Sequence, residues 1–141
     1  MIVKTKILAC SVARAFDLFT NRAGEWWPSQ LRHTGDEASL IVMSATGRFF
    51  ERGSDGREVE LGIVCVWEPP ERLVLDWYPG TGVEHPTRVE VRFVSEGAAS
   101  TRIEIRHDAT AASEALFPSR APRYEAAWSR VLDALTAATG A

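Results

Sequence analysis

Between Leu40 and His107 the chain is a succession of short apolar or alternating runs separated by turn chemistry, and one long amphipathic segment follows it. That order constrains the fold more than any other feature of the sequence. Leu40 to Ala45 and Gly47 to Arg52 are the first two runs. Ser54-Asp55-Gly56 then reads as a hairpin turn, because Asp-Gly supplies the positive φ that tight turns need. Val59 to Trp67 is a long strand, broken by Pro69-Pro70-Glu71-Arg72, since proline donates nothing to a ladder. Leu73 to Trp77 follows, and Tyr78 to Pro86, rich in proline and glycine, is a loop. Thr87 to Val94 alternates Val89, Val91 and Phe93 with Arg88, Glu90 and Arg92. After a turn at Glu96-Gly97, Thr101 to His107 alternates Ile103 and Ile105 with Arg102, Glu104 and Arg106. One wet face and one dry face mark these last two as antiparallel strands.

Helical patterns flank this block. Residues 2–9 alternate, with Ile2, Lys4, Lys6 and Leu8 on one side, and read as a strand. Ser11 is placed to cap a helix bearing Val12, Ala15, Phe16 and Phe19, ended by Asn21 and Gly24. Glu25 to Gln30 gives a short turn. Asp108 to Pro122 is expected to be irregular because Pro118 and Pro122 interrupt it. Arg123 to Ala138 is the long helix, with Tyr124, Ala127, Trp128, Val131, Leu132 and Leu135 on one face and Arg123, Arg130 and Asp133 largely on the other. A consecutive block of strands with helices set around it indicates an α+β fold in which a curved antiparallel sheet closes over the terminal helix. At 141 residues the chain is expected to form one domain, residues 1–141.

Several function classes are disfavoured. Net charge is −3 with both signs interspersed, so there is no basic stripe for nucleic acid or for an anionic membrane surface. No apolar run reaches the ~20 residues of a membrane span, and no signal peptide is recognisable, which makes the cytoplasm the expected location. Cys10 and Cys65 are expected to be buried, reduced thiols. The three histidines show no metal-ligand spacing, no GxSxG elbow is present, and Gly80-Thr81-Gly82 is not a phosphate cradle, so neither a metal nor a cofactor is expected.

What remains is aromatic. Trp26-Trp27-Pro28 places two indoles side by side, and Trp67, Trp77 and Trp128 add three more. Pro28 forces Trp27 towards extended backbone angles, so the neighbouring indoles point in different directions. One is expected to be buried and the other to lie at a cavity mouth or the surface. Glu51 follows Phe49 and Phe50; in an apolar cavity its pKa would rise, whereas an arginine partner would make it structural. His107 continues the inward face of Ile103 and Ile105.

These pieces resemble the START-like superfamily (SRPBCC proteins), which includes the polyketide cyclases and birch-pollen-allergen-like proteins. The nearest branch is the one named for homology to the activator of the Hsp90 ATPase. The resemblance rests on Ser11-Val12 to Phe16-Asp17, Trp26-Trp27-Pro28, Gly47-Arg48-Phe49-Phe50-Glu51, and Gly62 to Pro70-Glu71-Arg72-Leu73 with Trp77. Thr87 to Phe93, Thr101 to His107 and Tyr124 to Trp128 with Leu132 and Leu135 complete it. It implies the helix-grip fold, with about seven strands around a long C-terminal helix and two short helices after the first strand. It also implies a cavity that binds a small hydrophobic, aromatic or lipid-like molecule. The cavity candidates are Trp26, Trp27, Phe49, Trp67 and Trp77 from the sheet side and its approaches, and Tyr124 and Trp128 from the helix, with Glu51 and His107 as orienting polar groups. Two other readings stay open: a cyclase-like enzyme using Glu51 and His107 as acid and base, and a chaperone-associated interaction module using the Gly80 to Pro86 loop, the one segment expected to be free for such a contact. A homodimer is compatible with the chain.

Overall fold

The computed structural model describes residues 1–45 and 47–140. Strand β1 (Ile2–Leu8) leads into helix α1 (Val12–Phe19) and two 3-10 turns, Ala23–Glu25 and Ser29–Leu31. Strands β2 (Leu40–Met43), β3 (Arg48–Arg52), β4 (Glu58–Glu68), β5 (Arg72–Trp77), β6 (Thr87–Gly97) and β7 (Ser100–Ala109) follow, and helix α2 (Phe117–Thr139) ends the chain. The seven strands form one antiparallel sheet in the order β1-β7-β6-β5-β4-β3-β2. This is the α+β helix-grip architecture that the strand block and the resemblance imply.

Alternation decides which face turns inward. Val89, Val91 and Phe93 of β6, and Ile103, Ile105 and His107 of β7, are buried, while Arg88, Arg92, Arg102 and Arg106 are exposed. Register shifts at Phe49/Phe50, Val64/Val66 and Ser95/Gly97 are β-bulges, which bend strands and let a sheet curve. Gly62 opposes Trp77 across β4 and β5, and a Cβ there would overlap the Asp76 carbonyl and press on the Phe49 ring. Only glycine permits that close approach.

Helix α2 lies on the concave face, burying Tyr124, Trp128, Val131, Leu132 and Leu135. Lys4 and Lys6 of β1 reach up beside it to Ser129 and Asp133, at 3.3 and 3.4 Å. Helix α1 covers the far end of the sheet, where Phe16 meets Trp67 and Phe93 edge-on, each at 5.3 Å between ring centroids. Ser11 caps α1 as expected, its hydroxyl accepting from the Arg14 N–H at 3.2 Å, but the helix ends earlier, at Phe19 with Thr20 as cap.

Three expectations need correction. Helix α2 begins at Phe117, six residues before Arg123. Pro118 sits in its first turn, where no N–H is needed, and Pro122 lies inside the helix. Phe117 docks against His107 and Tyr124, at 5.6 and 5.8 Å, which anchors the extra turns. Cys10 is buried, but Cys65 is exposed on the outer face of β4. Finally, the Gly80 to Pro86 segment is tied down rather than free. Tyr124 Oη donates to the Pro79 carbonyl, Arg120 Nε to the Gly80 carbonyl, and His85 Nδ1 bonds the Ala112 carbonyl.

Candidate functional site

Between the concave face of the sheet and α2 lies a cavity of about 370 Å³ with mostly apolar walls. Phe49 of β3, Leu61 of β4 and Trp77 of β5 form the floor; Tyr124, Ala127, Trp128 and Val131 of α2 form the roof. Trp27, held between the two 3-10 turns, closes one side, and Pro79 with Gly80 the opposite rim. Trp77 is the hub of this wall. Its ring centroid lies 5.3 Å from Phe49, 5.1 Å from Trp128 and 6.5 Å from Trp27. Each such aromatic pair adds about 0.5–1.5 kcal/mol beyond burial. Gly80 has φ 87°, and a Cβ there would press on Tyr124, so glycine lets this rim close against the helix.

Beneath the wall runs a buried polar chain. Trp128 Nε1–H donates to His107 Nδ1 at 3.0 Å, and an indole nitrogen can only donate. His107 therefore carries its proton on Nε2 and gives it to Thr87 Oγ1 at 2.7 Å. The Thr87 hydroxyl in turn donates to the Trp77 carbonyl at 3.2 Å. Burial lowers the His107 pKa to about 4, with a small opposing effect of Asp108, so the ring is neutral at pH 7. Both nitrogens are spent, and the ring faces Tyr124 at 4.2 Å.

Glu51 is fully buried, but it has neither the raised pKa nor the arginine partner considered from the sequence. Its carboxylate accepts from the backbone N–H of His33 and Thr34, at 2.7 and 3.0 Å, and from the Thr34 hydroxyl at 2.5 Å. Burial alone would push its pKa up; these hydrogen bonds, with Ser39 beside them, outweigh burial and hold it below the usual carboxylate range. Glu51 thus pins the 33–34 segment to the sheet.

The nine candidates accordingly divide. Trp27, Phe49, Trp77, Tyr124 and Trp128 line the cavity. His107 and Glu51 sit behind it and beside it, bonded within the protein. Trp67 packs on α1 at the far end. Trp26 is half-buried, its Nε1–H donating to the Leu18 carbonyl at 2.7 Å, and it borders an open, more polar groove shared with Arg130 and Asp133. The tryptophan pair does diverge: Trp27 is only 6% exposed, yet it is also the one that meets the cavity.

Sequence reasoning missed Gln30, Leu31, Arg32, His33 and Arg123, all of which line the cavity. Arg123 stands four residues before Ala127, a spacing that places both on one flank of the helix, and that signal was available. The loop residues carried none, because what holds them is not local in the sequence pattern: Glu51 fixes His33 from 18 residues away, and Arg32 is fixed by Gly24, Trp27 and Ser39. Among the described residues no cluster of His, Cys, Asp and Glu could hold a metal ion, and no helix is long and apolar enough to cross a membrane.

The family described as Activator of Hsp90 ATPase homolog 1-like protein matches residues 9–140. No curated protein matches the chain. Solved structures resemble it over almost its whole length. CalC from Micromonospora echinospora, described as a self-sacrificing resistance protein, is 22% identical, with 98% of this chain and 92% of that one covered and a TM-score of 0.74. Txn09, described as an anthrahydroquino-gama-pyrone synthase, is 24% identical, with 94% and 95% covered and a TM-score of 0.62. CalU16 from Micromonospora echinospora is 22% identical, with 95% and 70% covered and a TM-score of 0.59. At these identities the likeness establishes the fold.

Proposed function

This chain belongs to the Activator of Hsp90 ATPase homolog 1-like family, within the START-like superfamily, and from that premise we propose that it binds a small hydrophobic or aromatic molecule between sheet and terminal helix. The observation that carries the reading is the cavity of about 370 Å³ whose walls are the rings of Trp27, Phe49, Trp77, Tyr124 and Trp128. Its size falls within the range of small-molecule sites, and apolar walls with a few polar groups are their usual makeup. Similar folds are described both as a synthase and as a resistance protein, so the fold itself does not choose between turnover and binding. The side chains favour binding. The two acid-base candidates, Glu51 and His107, spend their polar atoms on protein partners and do not line the cavity. A proton-transfer group must reach its substrate directly or through one water.

Titration of the intrinsic tryptophan emission with polycyclic aromatics and long-chain fatty acids tests this. At least one class should give a saturable change. Ala127→Trp, which fills the cavity from the roof, should abolish that change while the circular dichroism spectrum is kept. A folded protein that responds to no member of either class would end the proposal.

A further inference from the structure

We infer that the molecule taken up is an aromatic acid, its rings against the indoles and its ionised oxygens at an arginine rim; this rests on the cavity reading above. The polar groups around the cavity are unequally used. Three of the lining backbone carbonyls are already used: Pro79 takes the Tyr124 hydroxyl, Gly80 takes Arg120, and Trp27 takes Arg32, which leaves the Gln30 and His33 side chains as the neutral acceptors. The indole N–H groups of Trp27 and Trp77 have no acceptor among the described residues.

Arg32 strengthens the asymmetry. Its terminal nitrogens donate to the carbonyls of Ser39, Gly24 and Trp27 and to the Ser39 hydroxyl, all neutral, and its buried Nε has no partner. Its charge makes only a weak contribution to holding down Asp36, which is bonded instead to Ser54 and Ala38. Arg123, exposed on the opposite rim, has neither an ion pair nor a hydrogen bond among the described residues. His33 and Gln30 also line the cavity, and no Asp or Glu does. Arg32 also borders the neighbouring open groove, but the acids there, Glu25, Glu37 and Asp133, make no ion pair with it among the described residues; Glu25 pairs with Arg22 and Asp133 with Lys6.

A desolvated guanidinium without a carboxylate is costly, and a ligand carboxylate or phenolate supplies the missing charge with two oxygens matched to its donors. A neutral ligand could accept hydrogen bonds there but would supply no charge to balance the guanidinium groups; a cationic one would meet two arginines.

Isothermal titration calorimetry with 2-naphthoate and its uncharged analogue 2-naphthamide tests the inference. The acid should bind about tenfold more tightly than the amide, with the ratio shrinking as salt is raised. In Arg123→Glu, shown to be folded by circular dichroism, the ratio should fall to about two or below. If both probes bind with equal affinity, the anionic preference is wrong while the cavity reading stands. If the ratio survives in Arg123→Glu and in Arg32→Gln, each shown to be folded, the arginine rim is not its source and the inference fails. If neither probe binds and the aromatics and fatty acids are also silent, both readings fall together.

Discussion

At the scale of single residues, adjacent tryptophans have separate duties. Trp27 is buried against Trp77 and closes the cavity, whereas Trp26 is half-buried and fastened by its indole N–H to Leu18. Trp27→Ala should therefore cost about 3–5 kcal/mol, in line with other large core aromatics, while Trp26→Ala should cost less than half as much. Urea unfolding of the two variants gives the comparison directly. Equal losses would mean that Trp26 is as much a part of the core as its neighbour. The same scale explains why Glu51 reads as chemistry and acts as architecture. A carboxylate beside two phenylalanines suggests an acid in an apolar site, and nothing local reveals backbone N–H partners on a distant loop.

At the scale of elements, the terminal helix holds a removable defect. Pro122 lies in its interior, where it offers no N–H to the preceding turn. Pro122→Ala restores that donor and should stabilise the protein by about 1–3 kcal/mol, read as a higher unfolding midpoint. No gain would show that the helix is already adapted to the ring. The strands were legible because one wet face and one dry face leave a period of two in the sequence, as Val89 to Phe93 and Ile103 to His107 show. The start of the helix was not, because two prolines read as breakers while the docking of Phe117 against His107 is a contact between distant residues. The cavity was half legible. Its aromatic walls followed from strand ends and helical spacing, but its mouth depends on His33, held by Glu51, and on the glycine at position 80.

At the scale of the whole molecule, stability should fall in mild acid. The imidazole of His107 protonates near 6.5 when unfolded and only near about 4 when folded. Between these values the unfolded chain holds more protons, so the contribution is complete above about pH 6.5 and is lost as pH drops towards 4. The gap is worth about 3 kcal/mol. Glu51 acts in the same direction lower down: its folded pKa lies below the ordinary glutamate value of 4.5, so its contribution is present above that value and disappears as pH falls through the folded one. Urea midpoints measured from pH 7.5 to 4.5 should decline in the native protein and stay nearly flat in His107→Gln; equal slopes would place the sensitivity elsewhere. The arrangement of the indoles has one more consequence. Trp26, Trp27, Trp77 and Trp128 form an unbroken line, with centroid steps of 5.4, 6.5 and 5.1 Å. Chromophores so close share excitation, so a photon absorbed at one ring can be emitted from another. The colour and lifetime of the glow then belong to the array, and whatever docks beside any one ring dims them all.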